Sequence, residues 1–179
     1  MISILFSLVV AASPHCGVER AAIKNLLDSD VATIQFAPVP KTVEDLIKLV
    51  PPDKWTPDLP RLPAEFETVA VEVDVVGSKL EADLDLHVVV RGASGQTMIA
   101  EFPSALCVAK APEPYRSQMI TARRAFIHAF GTVTAKFRTL TKPLHAKITA
   151  LIFYDKLHGQ TGVAKNGAEL HPVLLFEAL

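Results

Sequence analysis

Hydrophobic and polar positions alternate most cleanly over KLEADLDLHVVV. There Lys79, Glu81, Asp83, Asp85 and His87 take one parity, and Leu80, Ala82, Leu84, Leu86 and Val88 the other. A period of two predicts a strand with one face in a core and one in water. The same reading predicts a first strand over Phe66 to Val76, FETVAVEVDVV, interrupted by Gly77-Ser78. The charged row falls on a second strand, Asp83 to Arg91. A third, Gln96 to Phe102, follows the turn residues Gly92-Ala93-Ser94-Gly95. HAKITALIFY, His145 to Tyr154, predicts a fourth strand, and AELHPVLLF, Ala168 to Phe176, a fifth. A helix is predicted from Pro112–Pro114 to about Phe130. Tyr115, Met119, Ala122, Phe126 and Phe130 share one stripe of it, and Gly131 is placed to end it.

The resulting order is β-β-β-α-β-β. This is the order of an OB fold, a five-stranded, partly open Greek-key barrel. Its ligand face lies on strands two and three, bordered by the one-two and four-five loops. The expected class is therefore mainly β with one helix (α+β), an OB-like five-stranded β-barrel. Another small α+β sheet is the competing architecture.

Residues 14–64 read as an irregular, Pro-rich N-terminal extension. One short helix is expected in it, with Thr42 as cap, Asp45 completing a near capping box, and Val43, Leu46, Ile47 and Val50 at helical spacing. Pro51 to Pro63 carries five prolines in 13 residues, which predicts an extended connector outside any sheet. Trp55 within it reads as a clip onto the core. The expected organisation is a signal peptide at 1–13, the extension and connector at 14–64, and the barrel domain at 65–179.

Composition adds compartment and partners. Half of the 179 residues are hydrophobic, enough for a real core, and 18 basic residues nearly cancel 19 acidic ones. No general field attracts nucleic acid, which is not an expected partner unless a metal intervenes. Ile2 to Ala12 is an apolar run of 11 residues, too short to span a bilayer, and Ala11-Ala12-Ser13 follows it. That pattern predicts a secretory signal peptide, hence a secreted or periplasmic protein with no membrane span. In such a compartment the two cysteines, Cys16 and Cys107, are expected to pair. The chain-entropy gain for so long a loop is about 4–5 kcal/mol.

On the expected barrel Asp83, Asp85 and His87 face outward, where carboxylates and an imidazole can converge on one ion or polar ligand. A solvated strand face is the plain alternative. A second stretch, DKLHGQTGVAKNG running into AELHP, is the expected four-five loop. His158 at its start and Glu169 and His171 on the fifth strand are its chemically able residues, and Gly159 and Gly162 offer either close backbone approach to a ligand or, the commoner case, a plain turn. Pro172 implies an edge or bulge. Glu101 and Asp155 are further candidates, the first depending on the hairpin register. His15, His128 and His145 read as structural or solvent-facing. No GxSxG, HExxH, P-loop or CxxC pattern is present.

Three readings follow. The first is a binding domain for a small molecule, glycan or protein. The second is a metal-dependent hydrolase of phosphodiesterase or nuclease type, with carboxylates holding the ion and His87 or His158 moving protons. The third is a structural brace in which the polar cluster staples the loop to strand two. No cofactor is specified beyond a divalent metal as candidate.

The combination of KLEADLDLHVVV, TMIAEFP, Cys107 and FYDKLHGQTGVAKNGAELHPVL resembles a family of small secreted bacterial proteins. Its members share a KxExDxDxH strand and a closing HGQTG…NGxELHPV segment. The likeness runs from Cys16 onward, with Lys165 standing where the family usually carries proline. It implies a bacterial secreted domain and brings no activity and no catalytic residue with it.

Overall fold

The computed structural model describes residues 16–179. The expected signal peptide at 1–13 and His15 lie outside the described residues. Among the described residues the fold is mainly β with one long helix. In chain order the elements are α1 (Ala21–Lys24), a 3-10 turn (Ser29–Thr33), β1 (Gln35–Lys41), α2 (Val43–Leu46) and a second 3-10 turn (Pro63–Phe66). Then come β2 (Glu67–Leu80), β3 (Leu86–Arg91), β4 (Thr97–Phe102), α3 (Tyr115–Phe130), β5 (Arg138–Tyr154) and β6 (Ala168–Ala178).

The strands form one six-stranded sheet in the order β1-β2-β3-β4-β6-β5, and β2 also pairs with β5. Hydrogen bonding therefore closes a ring through β2, β3, β4, β6 and β5. The β4–β6 pairing is parallel and the other four in the ring are antiparallel. The expectation of five strands is corrected by β1, which joins β2 in parallel from within the segment read as irregular. Pro38 and Pro40 hid it, since proline removes ladder donors and is tolerated only at an edge such as this.

One apolar cluster fills the ring. Val71, Val73, Leu86, Val88, Val90, Ile148 and Leu170 belong to it, together with Ala122, Phe126 and Phe130 of α3. The Phe126 ring stacks on Phe102 at 4.8 Å between centroids and meets Phe176 edge-on at 5.4 Å. A second cluster joins Leu26, Val31 and Ile34 to Val108, Met119, Leu151 and Leu174. It covers the outer face of β5 and β6. Burial on both faces explains why ALIFY runs unbroken without alternation.

Two devices bind the N-terminal segment to the rest of the fold, and a third ties the segment to itself. Cys16 and Cys107 form a disulfide across 91 residues, with Cα atoms 5.4 Å apart. Arg20 and Glu65, both side chains fully buried, pair at 2.5 Å. Arg20 also donates to the carbonyls of Leu59, Pro60 and Tyr154, and Glu65 accepts from the backbone N–H of Leu62 and Tyr154. Arg61 closes a third pair with Asp28 at 2.8 Å. The expected capping box at Thr42 and Asp45 is formed. Trp55 is half-buried, with the Lys156 ammonium 5.8 Å from its ring centroid.

The second strand is shorter than predicted. Residues 81–85 form a turn in which Glu81 N–H donates to the Asp85 carbonyl and Leu84 adopts a positive φ of 75°. Leu84 is half-buried and outside the core cluster. Expected bulges appear between Val75 and Gly77 of β2, and in β6 around Pro172, where pairing steps from Ala150↔Val173 to Ile152↔Leu170.

Candidate functional site

The outer face of β3 carries His87 and Val89, and the loop between β5 and β6 lies over it. Gly162 has φ +80°, and a Cβ there would sit 2.5 Å from the Val89 methyl groups. Glycine at 162 thus serves close packing of the loop on β3. That contact places the Thr161 carbonyl 2.9 Å from His87 Nε2. Of the row expected to face outward, His87 is 1% exposed and Asp85 3%, while Lys79, Glu81 and Asp83 are half-buried.

The hairpin register sets Glu101 directly opposite His87. One oxygen, Oε1, lies 3.4 Å from His87 Nδ1, and Oε2 lies 3.3 Å from His171 Nδ1. Glu81 Oε1 is also 3.4 Å from His87 Nδ1. His171 Nε2 faces Asp85 Oδ2 at 3.6 Å, and Asp85 Oδ1 accepts from the Ser104 N–H at 3.1 Å. Carboxylates and imidazoles therefore alternate in a buried line, Asp85–His171–Glu101–His87.

Above this line opens a cleft of about 370 Å³. Six carboxylates line it, from Glu19, Glu81, Asp83, Glu101, Asp155 and Glu169, with Lys24, His87 and His158 among them. Lys24 reaches in from α1, its Nζ 3.6 Å from Asp155 Oδ1. Exposed His158 sits on the covering loop, its N–H bonded to Gln160 Oε1 at 3.0 Å.

Of the residues singled out in the sequence, Asp83, His87, Glu101, Asp155, His158 and Glu169 meet in the cleft. Asp85 and His171 lie beside it, linked through Glu101. Three contributors went unread, Glu19 among them. Lys24 belongs to a segment with no periodicity to place it, and the Thr161 carbonyl carries no sequence signal. Glu81 was visible only as a member of the charged row.

Burial and mutual charge set the electrostatics. Desolvation pushes the Asp85 carboxyl up to about 7, and Glu101 and Asp83 add to it against the pull of His171. Burial also drives Glu169 well above the ordinary range, reinforced by Glu101 and Asp155. Glu101 goes the other way: burial opposes its charge, but the close approach of the His171 and His87 rings, with Lys24 beyond, prevails and holds it low. For His87 burial disfavours the imidazolium, yet Glu101, the Thr161 carbonyl and Glu81 outweigh it and raise its pKa. Lys24 is raised too, with Glu101, Asp155, Glu169 and Asp83 overcoming its burial. The cleft is an anionic hollow around one ammonium.

No family model, curated protein or solved structure matches this chain. Among the described residues no helix is long and apolar enough to cross a membrane.

Proposed function

We propose that this chain is an extracytoplasmic, OB-like binding domain whose cleft takes a small ligand carrying positive charge. The observation that carries the reading is the carboxylate-rich lining of one cleft: Glu19, Glu81, Asp83, Glu101 and Asp155 outnumber Lys24 and His87, while burial pushes Glu169 toward its neutral form. A concave site with low-dielectric walls in which one sign of charge predominates concentrates ions of the opposite sign. Val18, 74% exposed at the cleft edge, offers an apolar contact beside the charge. That suits an amine-bearing molecule or a basic side chain better than a bare phosphate.

Two features support the finer parts. The ring order, with a helix between its third and fourth strands and a parallel pairing of its third and fifth, follows OB connectivity. The disulfide suits an oxidising compartment and with it the secretory leader. The brace reading is favoured for one residue, His87, which holds the covering loop through Thr161.

The test is the unfolding midpoint of the chain in chelator-treated buffer with spermidine, against a neutral polyol of similar length. At a hundredfold excess over its dissociation constant a ligand adds about 2.7 kcal/mol, or about 5–10 °C in a chain of this size. A salt-sensitive rise with spermidine, reduced in Glu81→Gln and Asp83→Asn, supports the reading. No rise at millimolar spermidine, or an equal rise with the polyol, removes it.

A further inference from the structure

Asp85, Glu101 and His171 hold more than the cleft reading uses. One donor atom from each lies within 4.8 Å of the others, and all three residues are buried. Donors around a zinc ion, each about 2.0–2.1 Å from it, sit about 3.3 Å apart, so holding one ion requires both carboxylates to turn in toward one ring nitrogen of His171.

The second observation is His171 itself. It is 1% exposed, and neither ring nitrogen makes a hydrogen bond. The carboxylate oxygens at 3.3 and 3.6 Å stand beyond normal hydrogen-bond length. A buried imidazole with both nitrogens unsatisfied is costly unless something else occupies them. We infer that Asp85, Glu101 and His171 form a binding site for one divalent transition-metal cation, loaded from the cleft past Glu101.

The donor set selects the ion. One imidazole nitrogen and two carboxylate oxygens suit Zn²⁺ or Mn²⁺. Mg²⁺ gives up its waters reluctantly, and Ca²⁺ takes 6–8 oxygens, so three buried donors serve neither well. The surroundings support the ligands: Ser104 N–H holds the second oxygen of Asp85, and the His87 ring stands 3.4 Å from the second oxygen of Glu101. Arg123, which donates to the Phe102 carbonyl, is the nearby positive charge acting on Asp85. Because Glu101 also lines the cleft, an ion drawing on its carboxylate would loosen its hold on His87 and couple the two sites.

The experiment is calorimetric titration of the chelator-treated full chain with Zn²⁺, Mn²⁺, Mg²⁺ and Ca²⁺ in turn, repeated on Asp85→Asn, Glu101→Gln and the exposed-histidine control His128→Gln. One equivalent of Zn²⁺ or Mn²⁺ is expected. Asp85→Asn and Glu101→Gln should weaken it by more than the about 10–100-fold that loss of an outer contact costs, while His128→Gln leaves it unchanged. A wild-type readout guards against variants that fail to fold: Mn²⁺ should broaden the His171 ring signals in a histidine-labelled sample and leave His145 sharp. No stoichiometric Zn²⁺ or Mn²⁺ binding, binding that survives both substitutions, or an unperturbed His171 overturns the site. Spermidine binding without metal binding removes this inference and keeps the cleft reading; metal binding without spermidine binding does the reverse.

Discussion

Glu101 stands across the β3–β4 pair from His87, with Oε1 3.4 Å from Nδ1, while its other oxygen lies 3.3 Å from Nδ1 of His171. One carboxylate thus serves two buried imidazoles. Glu101→Gln keeps the shape and removes the charge. Loss of charge-assisted contacts of this kind costs about 1.5–3 kcal/mol, read as a lower urea midpoint. The His87 ring should also titrate at lower pH by NMR, because Glu101 is what overcomes its burial. An unchanged His87 titration would mean that Glu81 and Thr161 suffice.

Stability should fall as pH rises through neutrality in metal-free buffer. The folded pKa of Asp85 is about 7 against an ordinary 3.8, so the folded state binds more protons between those values. Its contribution is complete below 3.8 and fades as pH climbs to about 7, a loss of about 4 kcal/mol. His87, raised from 6.5, contributes in the same direction at higher pH. Glu101, lowered from 4.5, opposes them only in acid, where its contribution disappears as pH falls. Urea unfolding from about pH 5 to about pH 8 should therefore show a declining free energy, flatter in Asp85→Asn. Equal slopes in the two proteins would remove Asp85 as the cause.

Two glycines of the covering loop should respond differently to alanine. Both have positive φ, +84° at Gly159 and +80° at Gly162, but only the second would press a Cβ against Val89 at 2.5 Å. Gly159→Ala is expected to cost about 1 kcal/mol for backbone strain alone. Gly162→Ala should cost about 2–4 kcal/mol, since overpacking adds to strain, and it should release Thr161 from His87. Denaturant midpoints compare the two; similar costs would mean that the loop does not rest on β3.

Arg20→Ala leaves the Glu65 carboxylate buried without its partner. Breaking such a pair from one side costs about 3–5 kcal/mol. Thermal unfolding measures it, and a shift no larger than that of a surface arginine such as Arg124→Ala would show the pair to be energetically idle.

Removing the disulfide as the double Cys16→Ala, Cys107→Ala variant should lower stability by about 4–5 kcal/mol. It should also weaken spermidine binding, because Gly17, Val18 and Glu19 at the cleft edge follow Cys16 directly. Stability lost without any change in binding would place the N-terminal edge outside the ligand site.

The sequence by itself determined the five strands of the ring and the long helix, though not α1 or the edge strand β1. Alternation in FETVAVEVDVV, the stripe from Tyr115 to Phe130 and the turn residues at 92–95 are local signals, and these elements formed near their expected places, the strand after Gly77-Ser78 starting only at Leu86. Two cysteines behind a leader-like apolar run sufficed to pair Cys16 with Cys107. The chemically able residues were legible as types, since Asp, Glu and His stand out wherever they fall. Their meeting was not. Whether Glu101 faces His87 depends on hairpin register, which the turn left open and the packed sheet decided. Whether the charged row meets water depends on what lies over β3. The covering loop and α1 arrive there through contacts distant in sequence, Gly162 on Val89 and Arg20 with Glu65. Periodicity within one segment reports that a face differs from its opposite; only the tertiary fold decides whether solvent or another segment covers it.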